Sequence, residues 1–292
     1  MSAGAMHPIR AQALADRVAL EARHPDIFRP SPRARARALL VVGGLAALLV
    51  YGLWVLEFSP LKMIVGLGRL GEFMVHMIPP STGTWAKFWI YLHALAETVA
   101  IAFLGVFTAA AIALPLGFLA AKNVVPNAVI HFLSRRMLDT VRGVDELIWA
   151  LIWVSVVGLG PFAGVLALVC ANVGAFGKLF SEAIEAADRK AVEGVASTGG
   201  AKLHAVRFGL LPQVLPVMAA QVLYYFESNT RSATIIGIVG AGGIGLHLAE
   251  QIRVLEYQHV SALILMILVT VALIDMVSTR LRFALIGDRG AR

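Results

Sequence analysis

The chain carries apolar stretches too long for the core of a water-soluble domain. Phe88 to Ala121 holds one charged residue, Glu97, and exceeds the roughly 20 residues that a helix needs to cross a hydrocarbon layer. Ala38–Leu56, Leu147–Phe176, Leu210–Val239 and Val260–Val277 are further runs of this kind. Within lipid every backbone N–H and C=O has to be satisfied inside the segment or its bundle, which leaves helices as the solution for such runs. Of the 292 residues 59% are hydrophobic and 15% charged, against about 25% charged in soluble domains. The expectation is an all-α integral membrane protein.

The net charge of +7 does not point to nucleic acid. Basic residues cluster beside the apolar runs, as the positive-inside rule expects, and no basic surface is interleaved with aromatics. Arg33, Arg35 and Arg37 precede the first run, which has no small-residue cleavage signature after it and reads as an uncleaved anchor. Residues 1 to 35 read as a solvated tail or surface helix, with Pro8–Arg23 able to be helical. Glu57 to Lys87 is a weakly amphipathic connector closed by Pro79-Pro80, and Trp85, Trp89 and Tyr91 then mark a membrane interface.

The run Leu147–Phe176 is broken by Gly158-Leu159-Gly160-Pro161. A hairpin fits this break, with a third span near 140–158 and a fourth near 161–180, because only a hairpin returns Lys178, Arg189, Lys190 and Lys202 to the basic side. Six spans with both termini in the cytoplasm follow. The organisation is a tail over 1–35, a first span with an outer connector over 36–86, a bundle over 87–284, and a second tail over 285–292.

Between two spans lies a polar interruption, Val192 to Pro212. Gly199 and Gly200 permit a tight turn, Lys202–Phe208 can form a short helix, and Pro212 suits the first turn of the next one. A bent pair of short helices on the cytoplasmic side makes a knob for a partner to push. The sequence contains no Gly-x4-Gly-Lys-Ser/Thr loop, so an ATP motor would be another chain.

Charged residues inside a span cost about 3 kcal/mol or more, so they face a partner or water. Glu227, Ser228, Asn229, Arg231 and Ser232 interrupt the fifth run. Glu227 and Arg231 lie at i,i+4 and can neutralise each other, or Arg231 and its polar neighbours line a conduit for an anion. Arg142, Asp145 and Glu146 cluster at the expected inner end of the third span. They form either a solvated helix start, with acids favoured by the dipole, or an inner gate. Glu97 with His93 can bind another span. The glycines at 240, 242, 243 and 245 have no strand before them, so they read as irregular backbone in an outer re-entrant turn or as close helix packing. The single cysteine, Cys170, excludes an intrachain disulfide and reads as a packed thiol. The histidines have no metal-ligand spacing.

Several motifs carry a family resemblance. They are VGLGPFAGVLAL (157–168), SEAIEA (181–186), VEGVASTGG (192–200), GLLPQVLP (209–216), FESNTRSATIIGIVGAGGIG (226–245) and LVTVALID (268–275). From about Trp89 to Leu281 the chain resembles phosphonate permeases of ATP-binding-cassette (ABC) importers, within the superfamily that includes methionine permeases. Glu193, Gly199 and Pro212 fall on the spacing of that family's EAA coupling loop. Glu185-Ala186-Ala187 spells the motif out of register, and Gly194, Val195 and Gly209 depart from the usual residues. The resemblance implies a type I importer transmembrane domain of about six helices in the bacterial cytoplasmic membrane. It also implies a homodimer in lipid, ABC ATPase subunits that use ATP and Mg, and an external or periplasmic phosphonate-binding protein. Glu193, Gly199, Gly200 and Pro212 would couple to the ATPase, with no cofactor on this chain and no catalytic residue. The alternatives are a permease for another small solute or a membrane-embedded enzyme, for which no catalytic constellation stands out.

Overall fold

A computed structural model describes residues 32–286. The helical reading of Pro8–Arg23 and most of the last eight residues lie outside the described residues. Every regular element among the described residues is helical. Contacts divide the chain into a unit ending at Gly71 and a unit beginning at Glu72. The first holds α1 (Pro32–Val55) and most of α2 (Pro60–His76). α2 gives the expected connector a regular amphipathic helix.

The second unit is a bundle built on three crossing helices. α3 (Trp85–Leu119), α6 (Pro161–Glu185) and α9 (Leu211–Ile238) pack in two apolar layers, and a third joins α3 to the helices after α9. One layer joins Val106, Ala109 and Ala113 to Phe176, Phe180 and Ile184 and to Val214 and Met218. A second uses Ile101, Ala102, Ala167, Leu168, Ala233 and Ile236. The third joins Tyr91, Ala94 and Leu95 to Ile244 and Leu263. Ala102, Ala109, Ala113, Ala167 and Ala233 let backbones approach closely, since lipid supplies no hydrophobic drive between helices. Tyr91 was expected at the interface, yet it is buried in the outer layer while Trp85 and Trp89 are exposed.

The expected third span is corrected. Five helices among the described residues are long and apolar enough to cross a membrane: Arg35–Val55, Trp85–Leu119, Pro161–Glu185, Lys202–Ile238 and Tyr257–Ala284. In place of a span over 140–158 stand α4 (Ala128–Arg142) and the 12-residue α5 (Glu146–Val157). Asp145 divides them by capping α5, its Oδ1 accepting the Leu147 N–H at 2.9 Å. Together α4 and α5 run antiparallel to α6. Arg135 meets Glu185 at 3.0 Å, Lys178 meets Asp139 at 3.0 Å, and the Trp153 indole donates to the Cys170 thiol at 3.4 Å. The turn over 158–160 then closes the expected hairpin onto α6.

After α9 the chain passes through Gly240–Gly245 into α10 (Ile244–Arg253) and α11 (Tyr257–Ile286). Gly240, Gly242 and Gly243 have φ of 100°, 82° and 70°, a region that L side chains resist. The turn is buried. Its amides are met by α3: Glu97 Oε1 accepts the Gly243 N–H at 3.0 Å, and Thr98 Oγ1 accepts the Ile244 N–H at 2.8 Å. Both roles expected of the glycines are present, irregular backbone and close packing.

Candidate functional site

Three regions hold the predicted residues. The first is the elbow after α6. α7 (Arg189–Ser197) is capped by Asp188, whose Oδ1 accepts the Lys190 N–H at 2.9 Å. Gly199 then turns the chain with φ of 83°, and α8 (Lys202–His204) begins the return. The second short helix does not stop before Pro212. It passes through a π-helical turn (Ala205–Leu210) directly into α9, with the Leu211 N–H donated to the Val206 carbonyl five residues back. Pro212, which has no N–H to continue an α ladder, follows at the transition.

Gln213 braces this elbow. Its Oε1 accepts the Asp188 N–H at 3.0 Å, while Nε2 donates to the Asp188 carbonyl at 3.1 Å and the Gly209 carbonyl at 2.7 Å. Glu193 and Gly199 are exposed and Gly200 half-buried. Glu193 lines a cleft of about 340 Å³ with Asn123, Arg189, Val192 and Leu210. The out-of-register Glu185 has a different task. Its Oε1 accepts the Lys122 N–H at 2.9 Å and its Oε2 takes Arg135, while Asn123 holds the Ile184 carbonyl at 2.7 Å. Glu185 therefore ties the end of α6 to α4 and to the loop after α3. Nothing in the local sequence signals a partner 63 residues away.

The second region is the polar segment of α9. Glu227 is buried and accepts from two guanidinium groups, Arg231 at 3.1 Å and Arg282 of α11 at 3.4 Å. Arg282 lies just beyond the last apolar run, Val260–Val277. Arg282 also meets Thr279 at 2.9 Å and lies over the Tyr224 ring at 5.7 Å. The Arg231 side chain remains 48% exposed, so one end of this cluster is open. Asn229 faces another way. It exchanges amide bonds with Asn172 of α6 at 2.8 and 3.1 Å, and each amide also donates to the carbonyl four residues back. Ser228 and Ser232 are half-buried beside them.

The 142–146 cluster is not brought against the Glu227 cluster. Arg142 ends α4, Asp145 caps α5, and Glu146 opens it. Below them Asp139 holds Lys178 and Arg136, each at 3.0 Å. Among the described residues no group of three or more His, Cys, Asp or Glu could hold a metal ion.

Residues 113–286 match the family described as binding-protein-dependent transport system inner membrane component. Among curated relatives, HtxC of Stutzerimonas stutzeri, whose name assigns it to a phosphite transport system, is 39% identical over 83% of this chain and 85% of that one. The phosphate-import permease protein PhnE of Mycolicibacterium smegmatis is 34% identical over 89% of this chain and 49% of its own length. The inward-facing MetNI methionine ABC transporter matches in fold, with a TM-score of 0.62 at 20% identity, over 69% of this chain and 99% of that one. With a family match over more than half its length and curated relatives alike across most of theirs or its own, the chain belongs to the inner membrane components of binding-protein-dependent transport systems.

Proposed function

We propose that this chain is the membrane subunit of an ATP-driven importer of small phosphorus oxyanions: phosphonates, phosphite or phosphate. The observation that carries the reading is the likeness to relatives named for phosphite and phosphate transport over 83% and 89% of the chain. A permease of this family works with a substrate-binding protein and with an ATPase on a separate chain, which uses ATP and Mg. Two copies of the permease, surrounded by lipid, form the conduit. The elbow with Glu193, Gly199, Gly200 and Pro212 docks on the ATPase, and its braced geometry supports transmission of a rigid push to α6 and α9. Arg231, with Ser228 and Ser232, lines the route, Glu227 holds Arg231 in place, and Asn229 ties α9 to α6. The basic flanks support cytoplasmic termini. Counting α4–α5 as one interrupted crossing keeps the number of crossings even.

Affinity purification of the full chain from its native membrane tests this. An ATPase subunit is expected to accompany it, and the reconstituted complex with its binding protein should accumulate phosphite, phosphate or a simple alkylphosphonate. Glu193→Ala should uncouple hydrolysis from uptake. A transporter that purifies without an ATPase, or takes up none of the three anions, overturns the proposal.

A further inference from the structure

The interrupted crossing places charge at an unexpected depth. A Cβ at Gly174 would lie 2.7 Å from the Arg142 nitrogen and 2.8 Å from the Leu138 carbonyl, so the end of α4 rests on α6 at that residue. Gly174 stands about 20 Å along α6 from Pro161 and about 17 Å from Glu185 at 1.5 Å per residue. Arg142, expected at the inner end of the span, is therefore near the middle of the crossing.

Arg142 and Asp145 are exposed at that depth. Asp145 is committed to capping α5, and no salt bridge joins Arg142 to it, to Glu146 or to any other described residue. An unpaired guanidinium at mid-membrane costs about 3 kcal/mol or more in lipid. It therefore faces water or a second protein surface.

The surroundings favour water and anions. The helix that follows Arg142 reaches α9: α5 packs Ala150 with Ala233 and Ile236 and lays Trp149 against them, and the Tyr225 ring of α9 meets Phe176 of α6 at 4.8 Å. At 100° per residue, Tyr225 adjoins the face of α9 that carries Tyr224, Ser228, Arg231 and Ile235, of which Tyr224, Arg231 and Ile235 are exposed. Arg282 borders that strip from α11 through Glu227 and Tyr224. On its other side stands α5, which follows Arg142 in the chain. Glu227 already holds Arg231 and Arg282, whereas Arg142 has no fixed counter-charge. A guanidinium can offer two parallel N–H groups to the oxygens of a phosphorus oxyanion.

Resting on the importer reading above, we propose that the α4–α5 break is the waist of the solute route and that Arg142 contacts the anion there. The test uses the whole transporter with its ATPase and binding protein, in a Cys170→Ala background. Arg142→Cys and Gly199→Cys are each exposed, without nucleotide, to a water-soluble, membrane-impermeant thiol reagent from the cytoplasmic side. Labelling of both is expected. Labelling at 199 but not at 142 overturns this inference and leaves the importer reading standing, whereas labelling at neither overturns both.

Uptake is measured in parallel with phosphite, phosphate and methylphosphonate. Arg142→Gln should slow uptake about tenfold or more, the worth of one hydrogen bond to a charged group. Arg142→Lys, which keeps the charge but loses the fork, should fall between wild type and Arg142→Gln, and both should retain hydrolysis stimulated by the binding protein. Wild-type uptake by Arg142→Gln, or joint loss of uptake and stimulated hydrolysis in both variants, overturns the assignment.

Discussion

Gly209 lies against the backbone of α7: a Cβ at 209 would stand 2.8 Å from Val192 Cα and 3.0 Å from the Ala191 carbonyl. The glycine lets the π-helical turn and α7 meet with nothing between them. Gly194, on the same short helix as Val192, has nothing within 4 Å of its Cβ position. Gly209→Ala should force the two arms of the elbow apart at about 1–3 kcal/mol and lower uptake more than ATP hydrolysis. Gly194→Ala should leave both unchanged. Paired uptake and hydrolysis assays on the reconstituted transporter check this.

Gln213 fixes the same elbow with three hydrogen bonds. Gln213→Ala leaves the Asp188 groups without this partner and should cost about 1–3 kcal/mol. Faster hydrogen exchange confined to residues 188–200 is the expected signature, with α6 and α9 unchanged.

The Asn172–Asn229 exchange ties α6 to α9 deep in the bundle. Interhelical hydrogen bonds in membranes are worth about 1 kcal/mol. Asn172→Leu and Asn229→Leu should each destabilise, and the double variant should lose less than their sum. A double-mutant cycle on thermal unfolding in detergent reads the coupling directly.

Arg231 and Arg282 share Glu227. Removing Arg231 leaves the carboxylate paired with Arg282, so Arg231→Ala should impair uptake while membrane abundance is kept. Glu227→Gln strips both arginines of their counter-charge and should lower abundance itself. Immunoblots of membranes beside uptake rates separate the two effects.

Much of the bundle could be read from the chain. Apolar runs located the long helices, Gly158-Leu159-Gly160-Pro161 located the hairpin, and the glycines at 240–245 announced irregular backbone. The break at 143–145, inside what the sequence suggests is one span, was not legible for a physical reason. Charge beside an apolar run looks cytoplasmic by the positive-inside rule, and hydropathy cannot register that Gly174 and Gly177 let a charged helix lie on α6. Arg282 went unassigned to the polar cluster because its partner Glu227 lies 55 residues earlier, with no local pattern to join them. The continuous passage from Lys202 into α9 was hidden too. A proline ordinarily signals a fresh start, and a π-helical turn absorbs it without one.

The amides of Gly243 and Ile244 are stitched to Glu97 and Thr98. Sliding α3 along its axis would tear two buried bonds at once, so α3 and the glycine turn after α9 have to travel as one block. Relative movement of the helices then falls to joints outside that block, such as the one at Arg142–Asp145 between α4 and α5.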